Sequence, residues 1–141
     1  MKTRIFKLLA LTAGVFVTPI AGADFDGSEP LMCSFGQVVE CIPGSECRAV
    51  TNESVDAPDF VKLEFRKKEI VSTTAGVDSP PDDIDNVVDL ASYLVVQGAQ
   101  GGSANDTLGW SLSINHSNGQ MVATGSGENA GFVIFGACSP L

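Results

Sequence analysis

Four cysteines are the residues with the clearest chemistry in this chain of 141 residues. They are Cys33, Cys41, Cys47 and Cys138. An even number of cysteines in an exported chain predicts disulfides. Zinc is the competing use of four thiolates, but the spacing C-x7-C-x5-C has no C-x2-C pair and no neighbouring histidine. We therefore expect two disulfides and no metal at these residues.

A segment rich in aspartate is the second candidate for chemistry. Several carboxylates lie close together in the sequence, and calcium binds several oxygens at once. The segment does not match the D-x-[DN]-x-[DN]-G pattern of a calcium loop. A solvated acidic loop is therefore the favoured interpretation, and no cofactor is predicted. The weak candidate ligands are Asp78, Asp82, Asp83, Asp85 and Asp89.

Groups suited to catalysis are few. His116 is the only histidine and falls at a predicted hairpin tip, where a base would lack a partner to orient it, so a solvated turn residue is expected. Paired cysteines leave no thiol for nucleophilic attack, and no serine lies in a G-x-S-x-G context. These observations favour a non-catalytic binding or interaction module. A small secreted hydrolase that uses carboxylates is the alternative, because a carboxylate pair is recognised only by its separation in space.

The first 23 residues have the pattern of a secretory signal peptide. Three basic residues precede an apolar run over 8–17, and Ala21-Gly22-Ala23 supplies the small residues of a cleavage site. The run is shorter than the about 20 residues that span a bilayer. We expect cleavage after Ala23, a single β domain over 24–141, and a periplasmic or secreted protein without stable membrane insertion.

Charge restricts the partners of this domain. Removing the three basic residues of the signal peptide leaves five Lys and Arg against 17 Asp and Glu, a net charge of −12. Such a chain is repelled by nucleic acid and by anionic membranes. The partners that fit are a basic protein or a small ligand. The alternative explanation is that the negative charge only keeps the domain soluble.

Apolar residues alternate with a period of two, as expected for an all-β protein. In GWSLSINHSNGQMVATG, a four-residue loop over 116–119 pairs Ile114 with Met121 and keeps the large apolar groups on one face. In VKLEFRKKEIV, a tip at Lys67-Lys68 would pair Phe65 with Ile70 and Arg66 with Glu69. Further strands are expected at Val87–Leu90, Tyr93–Gly98 and Phe132–Cys138, the last apolar on both faces and therefore enclosed. Segments 74–86 and 98–106 are predicted to be exposed loops.

The turn at Pro43-Gly44 indicates how the cysteines pair. A bond between Cys41 and Cys47 sets Glu40 opposite Arg48, a self-consistent antiparallel register. Counting back by twos puts Val39, Gln37, Phe35 and Cys33 on one face, unless a bulge at Gly36 breaks the count. Cys33 is then left to pair with Cys138, which ties the first strand to the last. About eight antiparallel strands joined in this way predict a small barrel or a sandwich.

Two resemblances accompany these patterns. DFDGSEPLMC, CIPGSECR, GWSLSI and the terminal GFVIFGAC resemble a group of small exported proteobacterial proteins, which implies export, supports the pairing of Cys33 with Cys138 and implies no activity. A weaker likeness is to the periplasmic inhibitors of c-type lysozyme, small barrels tied by an early and a late cysteine. Their S-G-x-x-Y loop is missing, because Ala130 stands at the Tyr position of Ser126-Gly127-Glu128-Asn129-Ala130. No inhibitory residue is therefore carried over.

Overall fold

The computed structural model describes residues 25–101 and 107–141. The predicted signal peptide lies outside the described residues, as does most of the predicted loop over 98–106. Within the described ranges, no helix is long and apolar enough to cross a membrane.

Eight antiparallel strands form a closed barrel. Each strand pairs with the next barrel strand along the chain, and β10 pairs with β1 to close the sheet. Two short strands lie off the barrel: β2 pairs with residues 38–40 of β1, and β5 pairs with β4. A single 3₁₀ turn, Glu53–Val55, follows β2. The strands are β1 Leu31–Cys41, β2 Arg48–Val50, β3 Phe60–Glu64, β4 Glu69–Thr74, β5 Val77–Asp78, β6 Asp82–Asp89, β7 Tyr93–Gly101, β8 Thr107–Asn115, β9 Gln120–Ser126 and β10 Gly131–Pro140.

Both expected disulfides are present and tie the barrel at two places. Cys33 and Cys138 face each other across the β1–β10 seam and are bonded. Cys41 is bonded to Cys47, and Glu40 lies opposite Arg48 as predicted, with Arg48 Nη2 2.9 Å from Glu40 Oε2. The two disulfides are consistent with an oxidising extracellular compartment.

The hairpin of β8 and β9 has the predicted register. Ile114 pairs with Met121, and Gly119 has a φ of 68°, which the four-residue loop requires. The bulge at Gly36 is also present, between Phe35 and Gln37. It turns Val38 rather than Val39 into the core, where Val38 is fully buried.

The predicted register of the β3–β4 hairpin is wrong by two residues. Leu63, not Phe65, pairs with Ile70, and Glu64 pairs with Glu69. The turn consists of the four residues 65–68, and Lys68 has the positive φ of 56° that closes it. Phe65 and Arg66 therefore belong to the turn and not to β3. Arg66 instead lies 3.7 Å from Glu29, and Phe65 packs against the core.

Segment 74–86 is also less irregular than predicted. Residues 77–78 form β5, and β6 starts at Asp82, which pairs with Ile70 of β4. Pro80 and Pro81 lie just before β6, where a strand does not need their missing N–H groups. Gly98 to Gly101, the described part of the second predicted loop, continue β7.

One end of the barrel is filled by side chains. Phe25 is buried there, and the segment that follows it lies against Leu94 and Phe65. The two ends of the domain meet at this closed end, where the Leu141 N–H donates to the Pro30 carbonyl at 3.0 Å. The side chains packed here are Phe25, Leu31, Cys33, Leu63, Leu94, Ile114, Met121 and Cys138.

Candidate functional site

The opposite end of the barrel contains a cavity of about 310 Å³. All eight barrel strands contribute to its lining, and residues 55–58, from the last residue of the 3₁₀ turn onward, form part of its rim. Its floor is made by the inward-facing residues Val61, Ile70, Leu112, Ala123 and Ile134, all buried. The cavity is therefore the unfilled half of the barrel interior, and it begins where the packed core ends.

Trp110 occupies the inner wall of this cavity between two glycines. Its cross-strand partners are Gly98 on β7 and Gly125 on β9. A Cβ at Gly98 would collide with the indole and come within 2.6 Å of the Asp83 carbonyl oxygen. The indole therefore lies across Gly98 and reaches towards the backbone of β6. Leu108 takes the corresponding place over Gly125, where a Cβ would lie 3.5 Å from Leu108 Cδ1.

Three polar residues lie together on one wall of the cavity. Ser72 on β4, Asp82 on β6 and Ser79, which precedes β6, line the cavity together. The Ser79 N–H donates to the Ser72 carbonyl at 2.7 Å, which fixes this corner. In the closed order of eight strands, β6 and β10 are four places apart, so this wall faces the apolar side chains Phe132 and Ile134.

Asp82 is the one half-buried carboxylate in the cavity lining. Burial raises the pKa of Asp82 above its ordinary value, and the neighbouring Asp83 carboxylate raises it further. Asp56 also lines the cavity, but it is exposed at the rim. A carboxylate held in a cleft with a perturbed pKa is a common property of functional sites.

This pKa shift predicts that Asp82→Asn stabilises the empty protein at neutral pH. Below about pH 3.9, the ordinary pKa of an aspartate, the carboxyl is protonated in both the folded and the unfolded chain. As pH rises through the higher folded-state pKa, the folded protein must ionise a disfavoured carboxylate and loses stability. Thermal unfolding should therefore give Asp82→Asn a higher Tm than the unmodified protein at pH 7 and no gain at pH 3.

Asp85→Asn is the matched control, because Asp85 is exposed on the same strand and its loss changes the net charge equally. It should change the Tm less than Asp82→Asn does. A lower Tm for Asp82→Asn at pH 7 would show that the carboxylate makes a stabilising contact.

The other candidate aspartates do not join Asp82. Asp78 accepts a hydrogen bond from Thr73 Oγ1 at 2.7 Å, and Asp83 and Asp85 are exposed on β6. Asp89 lies at the far end of β6 beside the closed end of the barrel. In residues 25–101 and 107–141, no group of three or more His, Cys, Asp and Glu side chains is arranged to hold a metal.

His116 is less solvated than predicted. Its side chain is 25% exposed, and its Nε2 is buried 3.2 Å from Asp89 Oδ1 without the alignment of a hydrogen bond. The His116 N–H donates to the Ser92 carbonyl at 3.1 Å, so the β8–β9 turn packs against the β6–β7 turn. The sequence could not show this contact, because it joins two turns that are distant along the chain. His116 does not line the cavity.

Comparison of this chain with protein-family models, curated protein sequences and solved structures gave no match. The cavity is therefore the feature of the molecule that bears on function.

Proposed function

We propose that this protein is a non-catalytic binding module that holds one small, largely apolar ligand in the open half of the barrel. The observation that carries the proposal is the cavity of about 310 Å³, lined by every barrel strand. Ligand sites have volumes of about 300–1,000 Å³ and combine apolar walls with a few polar groups. Eight-stranded barrels are just wide enough to enclose one small ligand.

The packed half of the barrel supports this proposal by giving the cavity a rigid floor. Leu31, Leu63 and Ile114 are completely buried below it, and the Cys33–Cys138 bond crosses the seam at that end. A preformed, rigid cavity reduces the conformational freedom that is lost on binding. The ligand would enter from the open end.

Filling the cavity tests the proposal. N-phenyl-1-naphthylamine, a neutral apolar fluorophore, should bind with one-to-one saturation and quench Trp110, the single tryptophan of the chain. Ala123→Phe places a ring in the cavity from a buried position, so we expect its affinity for the probe to fall at least tenfold.

Val122→Phe is the matched control, because Val122 is the next residue on β9 and its side chain is exposed on the outer wall. It should bind the probe as the unmodified protein does. Far-ultraviolet circular dichroism of each variant confirms that the barrel is folded. A folded Ala123→Phe protein that binds the probe with unchanged affinity would contradict the proposal.

Asp56 and Asp82 make a carboxylate hydrolase the second candidate function, because both line the same cavity. In glycosidases, two carboxyl groups face each other across the scissile bond. Here Asp56 is exposed at the rim and Asp82 is half-buried, an unequal pair. Mass spectrometry of ligands recovered from a native extract after incubation distinguishes the two functions: a binding module returns them intact, and a hydrolase returns cleaved products.

We also propose that the protein works in the periplasm or outside the cell. The two disulfides and the predicted signal peptide over residues 1–23 support this location. The mature protein isolated from cells should begin at Asp24 when its N-terminus is sequenced. A protein that retains Met1 and stays in the cytoplasmic fraction would contradict export.

A further inference from the structure

The charged groups of the cavity all have one sign. Asp56 and Asp82 are its charged lining residues, and none of the described Lys or Arg side chains reaches it. The five Lys and Arg of residues 24–141 all lie in the described ranges, on the outside of the barrel or at its closed end. They are Arg48 beside Glu40, Lys62 beside Glu64, Arg66 beside Glu29, and Lys67 and Lys68 in the β3–β4 turn. An anionic ligand would therefore meet like charge and no counter-ion.

The Asp82 carboxylate is available to a ligand. Among the described residues, it has no hydrogen-bond or ion-pair partner, in contrast to Asp78, which is held by Thr73. Its partial burial disfavours the ionised form, and a bound cation would offset that cost because it supplies the missing opposite charge. The Ser72 and Ser79 residues of the same wall carry hydroxyls that can accept further hydrogen bonds from an ammonium group.

Trp110 lines the same cavity as Asp82. Its indole crosses Gly98 and approaches the Asp83 carbonyl, which belongs to the residue that follows Asp82. Tryptophan is the aromatic side chain that attracts organic cations most strongly. One cavity therefore contains a carboxylate, an indole that reaches the backbone of β6, and apolar side chains on the wall opposite β6.

We propose that the ligand is a small amphiphilic organic cation, an alkyl or aryl body with a protonated amine, whose ammonium group is bound by Asp82 beside Trp110. This inference rests on the proposed function and specifies its ligand class. The apolar body lies against Leu112, Phe132 and Ile134, and the ammonium group points to the polar wall.

Three eight-carbon compounds with different head groups test the proposal. Octylamine, octanol and octanoate are straight-chain compounds of eight carbons, the eighth carbon of octanoate being its carboxylate, and they carry a positive, a neutral and a negative head at pH 7. Each is titrated against the protein loaded with N-phenyl-1-naphthylamine. We expect octylamine to displace the probe with at least tenfold higher affinity than octanoate, and octanol to fall between the two.

Two variants of β6 test whether Asp82 causes the preference for octylamine. Asp82→Asn should remove the advantage of octylamine over octanol while the affinity for octanol is retained. Asp85→Asn removes an equal charge from the exposed face of the same strand and should preserve the advantage. Ala123→Phe binds the probe weakly, so octylamine is titrated directly against it by calorimetry, and binding should be abolished because the amine needs the cavity. Octylamine binding that survives in folded Ala123→Phe would mean adsorption to the acidic surface and would overturn the proposal.

The remaining outcomes separate this inference from the proposed function. If the probe and octanol bind in the cavity but octylamine binds no better than octanol, the cation proposal is overturned and the binding function stands. If octanoate binds more tightly than octylamine, the cation proposal is likewise overturned and the binding function stands. If neither the probe nor any of the three compounds binds, the proposed function itself fails.

Discussion

Removal of the Cys33–Cys138 disulfide is expected to lower the free energy of unfolding by about 4.7 kcal/mol. The bond joins residues 105 positions apart, and the chain-entropy estimate for a loop of about 100 residues is about 4.7 kcal/mol. Domains of this size have only about 5–15 kcal/mol of net stability, so the variant keeps a fraction of it. Urea unfolding of Cys33→Ala/Cys138→Ala measures the loss, and alanine avoids placing serine hydroxyls at these buried positions.

The second disulfide provides the internal comparison. Cys41 and Cys47 are six positions apart, and the same estimate predicts about half the loss for Cys41→Ala/Cys47→Ala. A loss below about 1 kcal/mol for the long bond would contradict its role in closing the barrel. Equal losses for the two double variants would show that loop length does not determine the effect.

Substitution of Gly136 by alanine is expected to destabilise the β1–β10 seam by about 3 kcal/mol. A Cβ at this position would collide with the Ser34 carbonyl oxygen and come within 2.8 Å of Met121 Cε. Ser34 belongs to the neighbouring strand, so its backbone cannot move aside without disturbing the pairing that closes the barrel. Overpacking of this kind costs about 1–3 kcal/mol. Urea unfolding of Gly136→Ala measures the loss.

Gly131→Ala is the control on the same strand. Its Cβ would have its nearest neighbour, the Gly125 carbonyl oxygen, at 3.9 Å, so the stability should change by less than about 0.5 kcal/mol. If the two alanine variants are equally stable, the close approach of β1 and β10 at Gly136 is not rigid. The strands β1 and β10 would then move apart to admit a methyl group more easily than the close contacts at Gly136 indicate.

Local patterns predicted the parts of the fold that are fixed by neighbours in the chain. The β8–β9 hairpin followed from one requirement, that Leu112, Ile114 and Met121 share a face. The same reasoning paired Cys41 with Cys47, and elimination then joined Cys33 to Cys138. That bond restricted the architecture to a barrel or a sandwich, and the pairing of β10 with β1 determines that it is a barrel.

Local patterns failed where two arrangements preserve the same faces. A two-residue slip of the β3–β4 hairpin leaves Val61, Leu63 and Ile70 pointing inward, so hydrophobicity could not choose between a two-residue and a four-residue turn. The aspartates hid the first part of β6, before the predicted strand at Val87–Leu90, because acidic residues are rare in strands and two prolines precede them. Asp82 and Asp83 pair with Ile70 and Glu69 of β4, 12 and 14 positions earlier in the chain, and the sequence offered no local signal for this pairing.

The cavity could not be predicted from the sequence, because it is space that the inward-facing side chains of eight different strands leave unfilled. Asp82 was recognised only as one of five acidic candidates for calcium. Its position opposite Ile70, on the inner face, separates it from Asp83 and Asp85. The glycines Gly98 and Gly125, on either side of Trp110, were the available signal, since small residues on paired strands leave room for a large neighbour.

Methyl chemical shifts followed by nuclear magnetic resonance during an octylamine titration show whether the amine binds inside the barrel. We expect saturable shifts for Leu108, Leu112 and Ile134, which line the cavity, and unchanged signals for Leu31 and Leu63 at the closed end. The indole N–H of Trp110 should shift with the cavity methyls. Shifts confined to the outer-wall residues Val88 and Val122, or no saturable shift, would contradict binding inside the barrel.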